Sequence, residues 1–105
     1  VIFIYTPVKL DRMRNFRYGM RAIHLIEKTL GITISKLNFE DLTQHQLAVL
    51  VWAGLHHEDK GLSPDIVMDL VDDHSTITEI TSVMSEAFAA SFGSDDPGKK
   101  KTAAN

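Results

Sequence analysis

The chain has 105 residues, is 44% hydrophobic and carries a formal charge of −3 without a single cysteine. That allows one compact core and excludes disulfide frameworks, thiolate metal sites and thiol nucleophiles, as suits a reducing cytoplasm. The charge is polarised: residues 1–36 hold seven Lys or Arg against two acids, whereas residues 37–96 hold one Lys against twelve acids. An acidic body beside a basic end is as well suited to pairing within the fold or between copies as to binding an anion.

The opening Val1-Ile2-Phe3-Ile4-Tyr5 is too short for a membrane span and lacks the preceding basic residues of a signal peptide, so an unexported protein is expected. The first fourteen residues, β-branched and interrupted by Pro7, predict extended or irregular structure. Asn15 reads as an N-cap. Phe16, Met20, Ile23, Ile26 and Leu30 follow at helical spacing, with Gly31 suited to a left-handed C-terminal cap, which predicts a first helix over residues 16–30.

Residues 32–42 are too irregular for a strand and too short for a long helix, and predict one helical turn inside a loop. Thr43-Gln44-His45-Gln46 has the pattern of a capping box, so a second helix follows, carrying Leu47, Leu50, Val51 and Leu55 with Trp52 beside them. Ser63-Pro64 sets a serine cap before a proline at the first helical position, where its missing amide costs nothing, and opens a third helix. Thr76-Ile77-Thr78-Glu79 is another capping box and opens a fourth, which Gly93 should stop. From Ser94 onward nothing apolar remains to be buried, so residues 94–105 predict a disordered tail after a domain over residues 1–93. The expected fold is all-α: a small bundle of about four helices behind an extended N-terminal segment.

His56-His57-Glu58-Asp59, one helix length after His45, is the densest group of metal-ligand types. Adjacent histidines on a helix diverge by about 100°, and no His-Glu-x-x-His spacing is present, so the segment reads as a polar helix end rather than a metal site. Asp59, Gly61, Ser63 and Asp65 lack the Asp-x-Asp-x-Asp-Gly run of a calcium loop. No nucleophile-base spacing or glycine-rich phosphate loop appears, and neither enzymatic activity nor a cofactor is expected. Arg14, Arg17 and Arg21, with Arg12 just before, fall on one face of the predicted first helix. They read as a solvated face that pairs with Asp69, Asp72 or Asp73 of the same molecule or a neighbour; an overall acidic chain repels a phosphate backbone. The second helix is apolar over a wide arc, part of which is expected to be buried only by a partner.

Arg14-Asn15-Phe16-Arg17-Tyr18-Gly19-Met20-Arg21-Ala22, then Leu25-Ile26-Glu27-Lys28 and Leu30-Gly31, resemble the opening of phage tail assembly chaperones. Val51-Trp52-Ala53-Gly54-Leu55-His56-His57-Glu58-Asp59 and Leu62-Ser63-Pro64-Asp65 are similar to that family's Trp-Ala-Gly-Leu…His-Glu-Asp segment and the capped helix after it. The resemblance spans roughly residues 9–93 and is most specific over residues 52–59. It implies a protein of the host bacterial cytoplasm, absent from the mature virion, that coats the tape-measure protein, keeps it soluble and recruits tail-tube subunits. It also implies that a longer, frameshifted form is often made, and Lys99-Lys100-Lys101 after Pro97-Gly98 suits either a slippery coding stretch or a solubilising tail. With these partners in mind, Trp52, Leu55, His56, His57, Glu58 and Asp59 form the expected binding surface, and charge polarity favours self-association. The competing readings are a small DNA-binding or regulatory helical protein using Arg12, Arg14, Arg17 and Arg21, and a hydrolase built on His56 or His57.

Overall fold

The computed structural model describes residues 5–91. In chain order they form β1 (Thr6–Lys9), β2 (Met13–Phe16), α1 (Met20–Leu30), a 3₁₀ turn (Ile34–Lys36), α2 (Gln44–Leu55), α3 (Pro64–His74) and α4 (Ile77–Ser91). The largely helical architecture matches the expectation, but the fold is not all-α. The N-terminal segment is an antiparallel hairpin, with Thr6 opposite Phe16, Val8 opposite Arg14 and Lys9 opposite Met13.

The hairpin shortens the first helix by four residues. Arg14, Phe16 and Tyr18 are buried while Asn15 is half-buried and Arg17 exposed, the two-residue alternation of a strand lying on a core. Phe16 fits both this pattern and the helical one that continues through Ile23 and Ile26. Met20 separates the two, because a helix running from residue 16 would bury it, whereas it is 90% exposed. Asn15 therefore lies in β2 and caps nothing; Gly19 stands at the helix start without a side-chain cap.

The remaining boundaries follow their local signals. Gly31 adopts φ 75° and its N–H donates to Glu27 O, closing α1. Thr43 and Gln46 exchange both capping-box hydrogen bonds, at 3.1 and 3.0 Å. Ser63 Oγ accepts from Ile66 N, and Pro64 opens α3. Thr76 Oγ1 accepts from Glu79 N at the start of α4. Glu27 also reaches forward to accept from Ile34 N at 2.9 Å and so anchors the 3₁₀ turn. Gly93 and the predicted tail over residues 94–105 lie outside the described residues.

α2 is the axis of the domain. Leu47 to Leu55 are buried throughout except Trp52, since α1, α3, α4 and β2 all pack against this helix. The wide apolar arc that suggested an absent partner is thus covered within the molecule, as expected of a helix apolar all round. An aromatic stack ties the hairpin to α4: Phe16 lies on Tyr18 at 5.7 Å between centroids, Tyr18 on Phe88 at 4.0 Å, and Phe39 meets Phe88 edge-on at 5.1 Å. The Tyr18 hydroxyl donates to Leu50 O at 2.6 Å, and burial raises its pKa well above the ordinary phenol value.

This packing requires glycine at position 54. A Cβ there would lie 2.5 Å from the Tyr18 ring and 2.6 Å from the Phe16 ring, while Gly54 O accepts from Arg17 N at 2.9 Å and holds the strand end against the helix. Gly54→Ala is therefore expected to lower stability by about 1–3 kcal/mol through overpacking, despite the better helix propensity of alanine. Urea denaturation of the two proteins measures the difference.

Candidate functional site

The residues selected at the end of α2 divide into two groups. Leu55 is 0% exposed and belongs to the core, so it is not a binding residue of the folded protein. Trp52 and His56 are half-buried and neighbour each other edge-on at 5.7 Å, with Trp52 Nε1–H donating to Leu62 O at 3.0 Å. They face partly outward, as do His57 and Asp59, and Glu58 is exposed.

His57, Glu58 and Asp59 lie in the turn after α2, and all three engage the hairpin. His57 Nε2 lies 2.7 Å from Asn15 O, and because a carbonyl only accepts, the proton sits on Nε2. Glu58 Oε1 accepts from Asn15 N and Oε2 from Asn15 Nδ2, both at 3.0 Å. Two side chains thus satisfy the backbone donor and acceptor of Asn15 much as a third strand would. Asp59 Oδ1 accepts from Gly61 N at 3.0 Å and fixes the α2–α3 turn, while Oδ2 accepts from Arg14 Nη1 at 3.3 Å.

Arg14 completes this lock. Its guanidinium meets Asp11 in a two-pronged pair, Nε to Oδ1 at 2.8 Å and Nη2 to Oδ2 at 3.0 Å, and spends its remaining edge on Asp59. With Arg14 only 4% exposed, the pair is far better held than an ion pair at the surface. Arg12 also approaches Asp59, at 3.9 Å from an exposed position. The electrostatics follow from these contacts. The Arg14 fork holds the Asp11 carboxyl below its ordinary pKa. For Glu58 burial pushes upward, but the two Asn15 donors, with His57 and Arg12, outweigh it and the pKa is lowered. The Gly61 amide, then Arg14, lowers Asp59. Arg14 itself is raised, first by its bonds to Asp11.

The expected arginine face is accordingly corrected. Arg14 lies in β2, Arg17 in the connection and Arg21 on α1, so they share no helix face. Among the described residues none of them pairs with Asp69, Asp72 or Asp73; the ion pairs run to Asp11 and Asp59. Sequence reasoning missed the Arg14 lock, although Asp11-x-x-Arg14 and the alternation of residues 14, 16 and 18 were its signals. It also missed an open groove of about 230 Å³ between α2, α3 and α4, floored by Leu47, Val51, Val67 and Ile80, with half-exposed Ile77 and acidic Asp72 among its lining residues.

Among the described residues no group of three or more His, Asp or Glu is placed to hold a metal ion, and no helix is long and apolar enough to cross a membrane. No family model, curated protein or solved structure matches this chain.

Two outcomes follow from the lock. Arg14→Met keeps the buried stem and removes the fork, and is expected to cost about 1.5–3 kcal/mol, the range for hydrogen bonds to charged groups; urea midpoints measure it. Because Asp11, Glu58 and Asp59 have lowered pKa values in the folded state, their stabilisation is complete above the ordinary carboxylate range. It is lost as pH falls through about 4 and below. The urea midpoint should fall over that interval, and Glu58→Gln should flatten the fall.

Proposed function

We propose that this protein is a phage tail assembly chaperone, which binds the long helical tape-measure protein, keeps it soluble and helps recruit tail-tube subunits in the host bacterial cytoplasm without remaining in the virion. The observation that carries this reading is where the resemblance falls. Its most specific stretch, residues 52–59, contains the glycine against which Phe16 and Tyr18 pack and the His-Glu-Asp side chains that grip the hairpin. These side chains hold the hairpin on α2, and a likeness that is most specific where the packing is fixed supports common architecture more strongly than one over solvated faces alone.

The alternative of a DNA-binding face loses support because Arg14, central to it, is withdrawn into the lock. The binding surface itself narrows: Leu55 is internal, and Trp52 and His56 are the accessible members of the original selection whose side chains do not engage the hairpin.

Co-expression with the long helical protein encoded beside the gene tests the proposal. The expected result is that the partner moves into the soluble fraction and co-purifies with this chain, and that His56→Glu reduces the recovered complex while leaving the melting temperature unchanged. A partner that stays insoluble beside a folded, soluble chain rejects the reading.

A further inference from the structure

The helices that enclose the open groove carry charge of one sign only. α2 contains no Asp, Glu, Lys or Arg, and residues 61–91, which include α3 and α4, hold Asp65, Asp69, Asp72, Asp73, Glu79 and Glu86 without a single Lys or Arg. All six acids are exposed, and among the described residues none has an ion-pair partner. Asp65, Asp69 and Asp72 recur at the spacing that aligns side chains along one face of a helix, and Asp72 lines the groove. An apolar recess of about 230 Å³ is thus bordered by an anionic stripe. Ile77, at 51% the more exposed of its apolar lining residues, and half-buried Met68 stand at its edge.

Three constraints select an occupant. The acids disfavour phosphate backbones and anionic lipid headgroups at this surface and favour Lys or Arg. The volume is below the roughly 300–1,000 Å³ of small-molecule sites and suits a few apolar side chains of a larger partner. The walls are helices, which pair their own amides and carbonyls, so the groove offers no strand edge. An extended segment laid there would bury unpaired backbone groups, whereas a helix arrives with its own already satisfied. We infer that the α2–α3–α4 groove docks an amphipathic helix of another protein. The apolar stripe of that helix seats on Leu47, Val51 and Ile77, and its flanking Lys or Arg residues face Asp65, Asp69 and Asp72. The apolar seat supplies the attraction and the charges supply register and encounter rate, since exposed ion pairs contribute little individually. This surface and its occupant are read from the groove alone and stand whether or not the chain is a phage protein.

Model helices of about 20 residues, long enough to hold helical structure, test it when titrated into the full 105-residue chain and followed by calorimetry and by methyl resonances. One peptide carries a leucine stripe flanked by lysines, a second the same stripe flanked by glutamates, and a third the lysines with serine in the stripe. The first is expected to bind, to shift the methyls of Val51, Val67 and Ile80, and to weaken in about 0.5 M salt, where exposed charges are screened. The other two should bind at least about tenfold more weakly. Ile77→Ser should weaken the first peptide without altering charge. The triple variant Asp65→Lys, Asp69→Lys, Asp72→Lys should exchange its preference for the glutamate-flanked peptide, a gain that a misfolded protein would not show. Absence of binding by the first peptide, equal binding of all three, shifts confined to other surfaces, or a triple variant that keeps the original preference each overturns the proposal. Groove methyls that already shift when the free chain is concentrated, or when residues 97–105 are removed, assign the groove to a second copy or to the chain's own Lys99-Lys100-Lys101, and either result overturns it too.

Discussion

A two-stranded hairpin leaves an edge of each strand without a partner, and one standing alone is marginal in water. Here the missing support comes from the turn after α2, where His57 and Glu58 satisfy the carbonyl and amide of Asn15 and Asp59 takes the last edge of the Arg14 guanidinium. The rest of the N-terminal half depends on that grip. It sets β2 against α2, which brings Phe16 and Tyr18 over Gly54 and aligns Tyr18 to stack on Phe88 of α4. Polar contacts choose the register, and the burial they direct supplies the larger share of the stability.

The same grip occupies the segment richest in ligand-type residues. Glu58 uses both carboxylate oxygens on one asparagine, and Asp59 divides its two between a backbone amide and an arginine. His57 spends its Nε2 proton on a carbonyl. The polar groups of this turn are shared between the hairpin, which all three side chains contact, and solvent, to which Glu58 stays exposed.

Those parts of the fold governed by neighbours in sequence were legible beforehand. The Thr43 and Ser63 caps, the Pro64 start, the left-handed Gly31 and the single turn at residues 34–36 lie where local rules put them. What was not legible depends on contacts between distant residues. The apolar arc of α2 has the same appearance whether its cover comes from α1, α3 and α4 or from another protein, because periodicity reports burial and not by what. Arg14 has the same identity on a solvated helix face as in a buried fork, and only the docking of residue 59 distinguishes them. The hairpin was misread because Phe16 satisfies two periods at once, and Met20 was assigned to the wrong one. Of the residues chosen as a binding surface, all but Leu55 keep some exposure. Leu55 falls by spacing on the stripe of Leu47 and Val51, and its burial follows that stripe rather than the neighbouring Trp52.

The Arg14–Asp59 contact closes a loop of 45 residues in sequence, which sets an order of events when the chain is made from its N-terminus. The hairpin is synthesised before α2, yet the turn that must hold it is completed only after α2 has been added. At the usual rates of synthesis the interval is roughly two to nine seconds. During that time Phe16 and Tyr18 have neither Gly54 nor Phe88 to cover them. β1 and β2 thus settle only once the turn after α2 has been made, and a nascent chain halted before α2 would display an aromatic hairpin without the helix it packs on.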